Sequence, residues 1–252
     1  MRALITGASS GIGYSMAKYL ASKNIDLILV ARRKNRLLEL KKEFKNIDID
    51  IIPLDLSIED NLELLVNSTI DKDIDILINN AGFGLFGTFD STDLETEMKM
   101  IDVNIRAVHY LTKSFLKKFI MEDKGYILNV ASSAGFMSGP KLSTYYATKN
   151  YCLRLSEAIY QELKEKKSNV HISVLCPGPV DTEFNTVAHG VFKTKSATPE
   201  YVAKYAIDKM FKNKLLIIPT IKMKMAIFLI RFVPTKLLLY ITSNIQERKI
   251  KN

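Results

Sequence analysis

Apolar residues in this chain fall into short continuous runs separated by longer stretches with helical spacing. Seven runs read as strands: Arg2 to Thr6, Asp26 to Ala31, Asp48 to Pro53, Ile74 to Asn79, Gly125 to Ala131, Val170 to Cys176 and Leu215 to Ile218. Most are continuous rather than alternating, which predicts a sheet covered on both faces. Between them, helical patterns lie near 11–23, 35–45, 58–70, 93–122, 144–167 and 199–212. Ser57 with Asp60 resembles a capping box, and Thr198 before Pro199 reads as an N-cap with proline at the first helical position. Strand and helix alternate without an internal repeat or low-complexity linker, so the pattern predicts one doubly wound α/β domain over 1–252 with a mainly parallel sheet.

Composition supports one compact domain and excludes some chemistry. The chain has 252 residues, 47% hydrophobic and 25% charged, enough to bury a core without a disulfide or structural metal. Cys152 and Cys176 have no CxxC partner and no histidine at ligand spacing, which argues against zinc and thioredoxin chemistry and favours a reducing, cytoplasmic setting. The start runs straight into a strand and a glycine turn, so no leader is expected. Arg231, Pro234 and Lys236 interrupt the most apolar segment, so no spanning helix is expected either.

The net charge of +9 is unevenly placed. Residues 193–252 carry eleven Lys and two Arg against three acids, +10, while the rest of the chain is at −1. Such a tail either meets an anionic surface or is a solvated basic face. Within it, Met223, Met225, Ile227, Phe228, Leu229, Ile230, Phe232 and Val233 make an apolar surface wider than one helix stripe, flanked by Lys222, Lys224, Arg231 and Lys236. Two placements are open: peripheral contact with an anionic membrane, or packing on the protein's own sheet edge or a second subunit, which is favoured. No nucleic-acid partner is expected.

Candidate chemistry begins after the first strand. Thr6-Gly7-Ala8-Ser9-Ser10-Gly11-Ile12-Gly13 opens a helix, and glycines there let the backbone approach a pyrophosphate that free helix-terminal amides attract. The second strand ends in Arg32-Arg33-Lys34, where a site for the unphosphorylated ribose would place a carboxylate. A guanidinium instead suits the 2′-phosphate, so NADPH is expected over NAD. Asp55, beyond the third strand, is a candidate acceptor for the adenine amino group or a turn residue; Leu56 beside it is a further cofactor-contact candidate.

These residues, with others in order along nearly the whole chain, resemble the short-chain dehydrogenase/reductase family in its common form of about 250 residues. Thr6 to Gly13 is similar to its TGxxxGxG turn, Asn79-Asn80-Ala81-Gly82 to its NNAG segment, Asn104 to its helix asparagine, and Pro177-Gly178 to its strand-end PG. Ser132, Tyr145 and Lys149 match its catalytic set. YxxxK alone is uninformative, since it also occurs at Tyr14, Tyr19, Tyr160 and Tyr205. Ser132 thirteen residues before Tyr145, at the end of the fifth strand, selects the register; Tyr146 would face Asn150, not a lysine.

The resemblance implies a Rossmann-type fold and roles for these residues. Tyr145 would give a proton to the alkoxide formed by hydride transfer. A free phenol titrates near about 10, so Lys149, on the same helix face, would stabilise its phenolate. The same lysine would hold the nicotinamide ribose, Ser132 the carbonyl oxygen, and Asn104 a water beside the lysine. Asn80, Ala81 and Gly82 would contact the cofactor, and Pro177, Gly178 and Val180 would pass over the nicotinamide, with Thr182 on its carboxamide.

Residues 183–198 would form a substrate lid through Phe184, Val187, His189 and Phe192. With Phe83, Leu85, Phe86, Phe136 and Met137 they give an apolar pocket, or else a satellite core beneath the loops. The expected activity is NADPH-dependent hydride transfer to a hydrophobic ketone, or from the secondary alcohol, of a 3-oxoacyl, hydroxysteroid or other lipid-like kind, in a homodimer or homotetramer. A non-catalytic dinucleotide sensor is the alternative, which the complete Ser132, Tyr145, Lys149 set argues against.

Overall fold

The computed structural model of the chain describes residues 1–184, 188 and 196–250. Seven strands form one sheet: β1 (Arg2–Thr6), β2 (Asp26–Val30), β3 (Ile49–Ile52), β4 (Ile76–Asn79), β5 (Gly125–Val130), β6 (Val170–Leu175) and β7 (Leu216–Ile217). Their order is β3-β2-β1-β4-β5-β6-β7 and each neighbouring pair is parallel. The order reverses between β1 and β4, and that switch point opens a crevice at the carboxyl ends of the strands.

Both faces of the sheet are covered, as the continuous apolar runs require. On one side pack α1 (Gly11–Ala21), α2 (Lys34–Glu43) and α7 (Pro199–Met210), through Met16, Leu20, Leu37, Leu40, Ile207 and Met210. On the other lie α3 (Glu59–Thr69), α5 (Val108–Glu122) and α6 (Ser143–Glu165), through Leu62, Leu65, Phe115, Phe119, Ile159 and Leu163. Thr198 does cap α7, accepting from the Tyr201 amide at 3.3 Å. Ser57 does not cap α3; its hydroxyl donates to Asp55 Oδ1 at 2.8 Å, and the helix starts at Glu59 with only Glu59 and Asp60 facing its positive end. The expected helix over 93–122 is divided: α4 (Leu94–Ile101) passes through a wide π-helical turn, Asp102–Ala107, before α5.

The tail is a pair of helices, α8 (Ile221–Leu229) and α9 (Thr235–Ile250). Ile227 and Met223 pack against Cys152, Leu153, Val174, Cys176 and Ile218, so part of the apolar surface does cover the protein's own body. Met225, Phe228, Leu229, Phe232 and Tyr240 remain exposed. No helix among the described residues is long and apolar enough to cross a membrane. No cluster of metal-ligating side chains occurs among them either. Cys152 and Cys176 are free and buried.

Behind the crevice, polar side chains tie the middle of the fold together. Buried Asn129 on β5 accepts from Asn79 Nδ2 of β4 at 2.9 Å and donates to Ser156 Oγ of α6 at 3.0 Å. Thr112 of α5 joins the same oxygen at 3.3 Å. Removing the amide takes one buried hydrogen bond from each of Asn79, Thr112 and Ser156, and a buried group left unpaired costs about 1–3 kcal/mol. Asn129→Ala should therefore lower the unfolding free energy in urea titration by at least ~2 kcal/mol. Wild-type stability would contradict this reading of the network.

Candidate active site

The site is built from the loops that leave the strands at the crevice. After β1 the chain turns through Gly7, whose φ of +66° favours glycine and whose added Cβ would lie 2.8 Å from Ala81 Cα. Gly13, in the first turn of α1, likewise has no room for a Cβ against Asn80 and the Gly7 carbonyl. Thr6 stands behind this turn. Its Oγ1 accepts from the amides of Asn80 and Ala81, both at 3.0 Å, while Asn80 Nδ2 donates back to the carbonyls of Thr6 and Gly7 at 3.0 and 3.1 Å. The segment after β4 and the glycine turn are thus one bonded unit.

No side chain caps the start of α1, so its first amides face the cleft. The Ser10 hydroxyl accepts instead from Arg33 Nη2 at 2.7 Å, and Ser9 Oγ from Arg33 Nε at 3.2 Å. Arg33 also pairs with Glu183 at 2.7 Å, and Arg36 binds the other oxygen of that carboxylate. These bonds hold the Glu183 carboxyl below the usual carboxylate range. Arg32 lies 3.7 Å from Asp55 Oδ2. Burial raises the Asp55 carboxyl, but the Ser57 hydrogen bonds and Arg32 outweigh it and leave it lowered.

On the other half of the cleft, Lys149 is 5% exposed. Its Nζ donates to the Val130 carbonyl at 2.9 Å and lies 5.8 Å from the centre of the Tyr145 ring. Burial pulls the Lys149 ammonium down and pushes the Tyr145 phenol well up, the latter opposed by a hydrogen bond to Ser132. Ser132, Tyr145 and Lys149 therefore meet in one place. Asn150 is spent on the carbonyls of Ala134, Met137 and Tyr146, at 3.1, 2.9 and 2.9 Å, and Tyr146 points its hydroxyl at Gln246.

Asn104 sits in the π-helical turn, fully buried. Its side chain clamps Phe83 from both sides, accepting from the amide at 3.1 Å and donating to the carbonyl at 2.9 Å, and also reaches Thr148 Oγ1 at 3.0 Å. The amide thus fastens the loop after Gly82, where a Cβ would fall 3.2 Å from Lys149 Nζ.

One cleft of about 440 Å³ joins the two halves. It is lined by Gly7, Ser9, Ser10, Gly11, Ile12, Arg32, Arg33, Asp55 and Leu56, and by Asn80, Ala81, Gly82, Ser132, Tyr145, Lys149, Pro177, Gly178, Val180 and Thr182. Three expected site residues, Thr6, Gly13 and Asn104, stand behind its wall. Of the expected apolar wall, Phe83, Phe86 and Phe184 line the cleft. Phe136 packs instead into the core under α8, and Leu85 and Met137 do not line it. Val187, His189 and Phe192 lie outside the described residues. Sequence reasoning missed Leu142, Tyr146, Glu183 and Gln246. Gln246 had one visible signal: with Thr242 it makes a polar i, i+4 pair in a tail read for its charge and its apolar surface.

The insertion after β6 is closed at its base. Val180 bridges Ala197, with Asp181 N donating to Ala197 O at 3.0 Å and Ala197 N to Pro179 O at 3.1 Å. Ala188 receives the Phe86 amide at 3.1 Å, and the Phe184 ring lies 5.3 Å from that of Tyr145.

Residues 1–189 match the short chain dehydrogenase family. The chain is 34% identical over 232 residues to an NADP-dependent 3-hydroxy acid dehydrogenase of Schizosaccharomyces pombe, covering 85% of this chain and 88% of that protein. It is 30% identical over 220 residues to a 7beta-hydroxysteroid dehydrogenase of Mediterraneibacter gnavus, covering 83% and 82%. A short-chain dehydrogenase from Sphingobium yanoikuyae, solved in complex with NADPH, superimposes with a TM-score of 0.81 at 30% identity, covering 87% and 88%. With the glycine turn, the parallel sheet and the Ser132, Tyr145, Lys149 cluster in family order, the chain belongs to the short-chain dehydrogenase/reductase family and is a nicotinamide-dinucleotide-dependent oxidoreductase.

Proposed function

We propose that the protein is an NADPH-dependent reductase of hydrophobic ketones, acting also on the corresponding secondary alcohols. The observation that carries the reading is the meeting of Ser132, Tyr145 and Lys149 beside Phe83, Phe86 and Phe184 in a single cleft that continues to Arg32 and Arg33. The dinucleotide supplies the hydride. Its pyrophosphate fits the uncapped start of α1, on a turn whose close packing against Asn80 and Ala81 leaves no room for a Cβ at Gly7 or Gly13. Asp55 and Leu56 line the adenine side, and Pro177, Gly178, Val180 and Thr182 the nicotinamide side.

The chain's own groups then handle the substrate oxygen. Ser132 donates to the carbonyl, stabilising charge as it develops. Tyr145 delivers the phenolic proton, and the Lys149 ammonium offsets the negative charge left on the ring oxygen. Tyr145→Phe should abolish turnover while leaving NADPH affinity nearly intact, whereas Lys149→Ala should damage both; turnover followed at the NADPH absorbance over a panel of ketones tests the reading. Because burial holds the Tyr145 phenol above its ordinary value, ketone reduction should stay level from neutral into alkaline pH, while alcohol oxidation, which needs the deprotonated phenol, should climb over the same range. A reduction rate that falls through neutral pH as the pH rises would show that the Lys149 ammonium outweighs burial at the Tyr145 oxygen.

The preference for NADPH rests on Arg32 and Arg33 with no carboxylate at the end of β2, and the NADP-dependent and NADPH-bound relatives support it. Arg33 is already oriented by Ser9 and Ser10. Losing a charged hydrogen-bonding partner of the 2′-phosphate costs about 1.5–3 kcal/mol, or roughly tenfold or more in affinity. Arg33→Ala should weaken NADPH by that much in fluorescence titration and leave NADH little changed; equal losses would remove the phosphate role.

For the tail we favour a second copy of the chain over an anionic membrane. Lys224, one of the flanking cations, turns inward to the Tyr205 hydroxyl at 3.2 Å, while Phe228 and Phe232 face outward at 57% and 72% exposure. Phe228→Ser with Phe232→Ser should reduce the mass measured by light scattering. Unchanged mass, with salt-sensitive sedimentation on anionic vesicles, would decide for the membrane.

A further inference from the structure

The last helix carries two buried polar side chains, Thr242 at 5% and Gln246 at 2% exposure. Thr242 donates to the Leu238 carbonyl at 2.9 Å, so its polarity is spent inside its own helix. Gln246 reaches across the fold. Its Nε2 donates to the hydroxyl of Tyr146, 2.5 Å away and 100 residues earlier in the chain. Its Oε1 is buried with no hydrogen-bond partner among the described residues. Both residues line the cleft, and the Tyr146 ring meets that of Tyr145 edge to face with centroids 6.2 Å apart.

This corner is firmly built. The Tyr146 ring packs so closely on Gly139 that any Cβ there would strike it, and Asn150 holds the Tyr146 carbonyl at 2.9 Å. The helix bearing Gln246 is fastened beside it by Lys141 and Glu247, 3.4 Å apart, and Lys141 O in turn accepts the Gly87 amide at 3.0 Å. Phe86, Leu142 and Ala188 form an apolar cluster that Tyr145, Tyr146 and Phe184 join. A buried amide oxygen without a partner is uncommon in a folded protein, and here it belongs to a side chain that lines the cleft beside Tyr146.

We propose that Tyr146 and Gln246 form a polar subsite that grips a hydroxyl of the substrate remote from the reacting carbonyl. The inference rests on the ketone-reductase reading and narrows it: the substrate is a hydrophobic ketone that carries a second, neutral oxygen. The donor and acceptor count selects that group. The Tyr146 oxygen accepts from Gln246, leaving its own proton to donate, and Gln246 Oε1 is left to accept. A hydroxyl accepts the first and donates to the second, and it serves equally if the amide is turned about. Burial keeps the Tyr146 phenol protonated. A carboxylate fits poorly, because the pair offers no cation and Lys141 is already matched by Glu247.

The test uses methyl ketones of graded chain length, each with and without a terminal hydroxyl, reduced by the intact protein with NADPH. At one chain length, kcat/KM for the hydroxyketone should exceed that of its plain partner on the order of tenfold. In Tyr146→Phe and Gln246→Met that ratio should fall towards one. Calorimetric binding of the same two ketones to the NADP-loaded protein should show the same loss of discrimination, and NADPH affinity reports whether each variant has kept its fold. If plain ketones turn over but no hydroxyl preference appears at any length, or if both variants keep the wild-type ratio, the subsite is overturned while the reductase reading stands. If no ketone of either kind binds or turns over, the reductase reading fails and the subsite falls with it.

Discussion

Burying an ammonium costs several kcal/mol unless oxygens surround it, and the loops of this cleft are arranged around that requirement at Lys149. The end of β5 presents the Val130 carbonyl to its Nζ, and α6 carries it one turn after Tyr145 on the same face. The loop after β4 passes so close that a Cβ at position 82 would lie 2.9 Å from Asn104 Oδ1 and 3.2 Å from Lys149 Nζ. That loop is held by Asn104, whose position is set by the widened helical turn between α4 and α5. Loosening any of these would leave a charge in an apolar site, so the ends of β4 and β5, the π-helical turn and α6 settle as one unit.

The fold was legible because a parallel sheet covered on both faces writes its strands as unbroken apolar runs. All seven strands lie where those runs fall, and Thr198-Pro199 marked the start of α7. The capping box at Ser57 was misread because Asp55, two residues earlier, competes for the same hydroxyl. Nothing in periodicity distinguishes the π-helical turn at Asn104 from a regular helix, since one extra residue in a turn leaves a long apolar pattern nearly unchanged.

At the site, residues adjacent in sequence to the glycine turn and the strand ends were readable, because each strand delivers its outgoing loop to one crevice. Contacts that cross the fold were not. Glu183 meets Arg33 and Arg36 from 150 and 147 residues away, and Gln246 meets Tyr146 from 100. Thr6 and Asn104 show a further limit: they match the family pattern, yet their side chains bond to backbone and neighbouring polar groups behind the cleft. The wide apolar tail divides in a way composition could not show, with Met223 and Ile227 turned to the body and Phe228 and Phe232 to the outside.

The parallel bridge between Val180 and Ala197 has a consequence for how the molecule can change. Closing a loop carries an entropic cost that grows only slowly with its length, and here the closure is made by backbone bonds at the neck, independent of the residues between. Side-chain changes at 180, 181 and 197 that keep the backbone in place therefore leave the neck shut. Glu183, by contrast, ties the same connection to the glycine turn through its carboxylate, which Arg33 and Arg36 both hold, so a substitution there would be felt at Ser9 and Ser10.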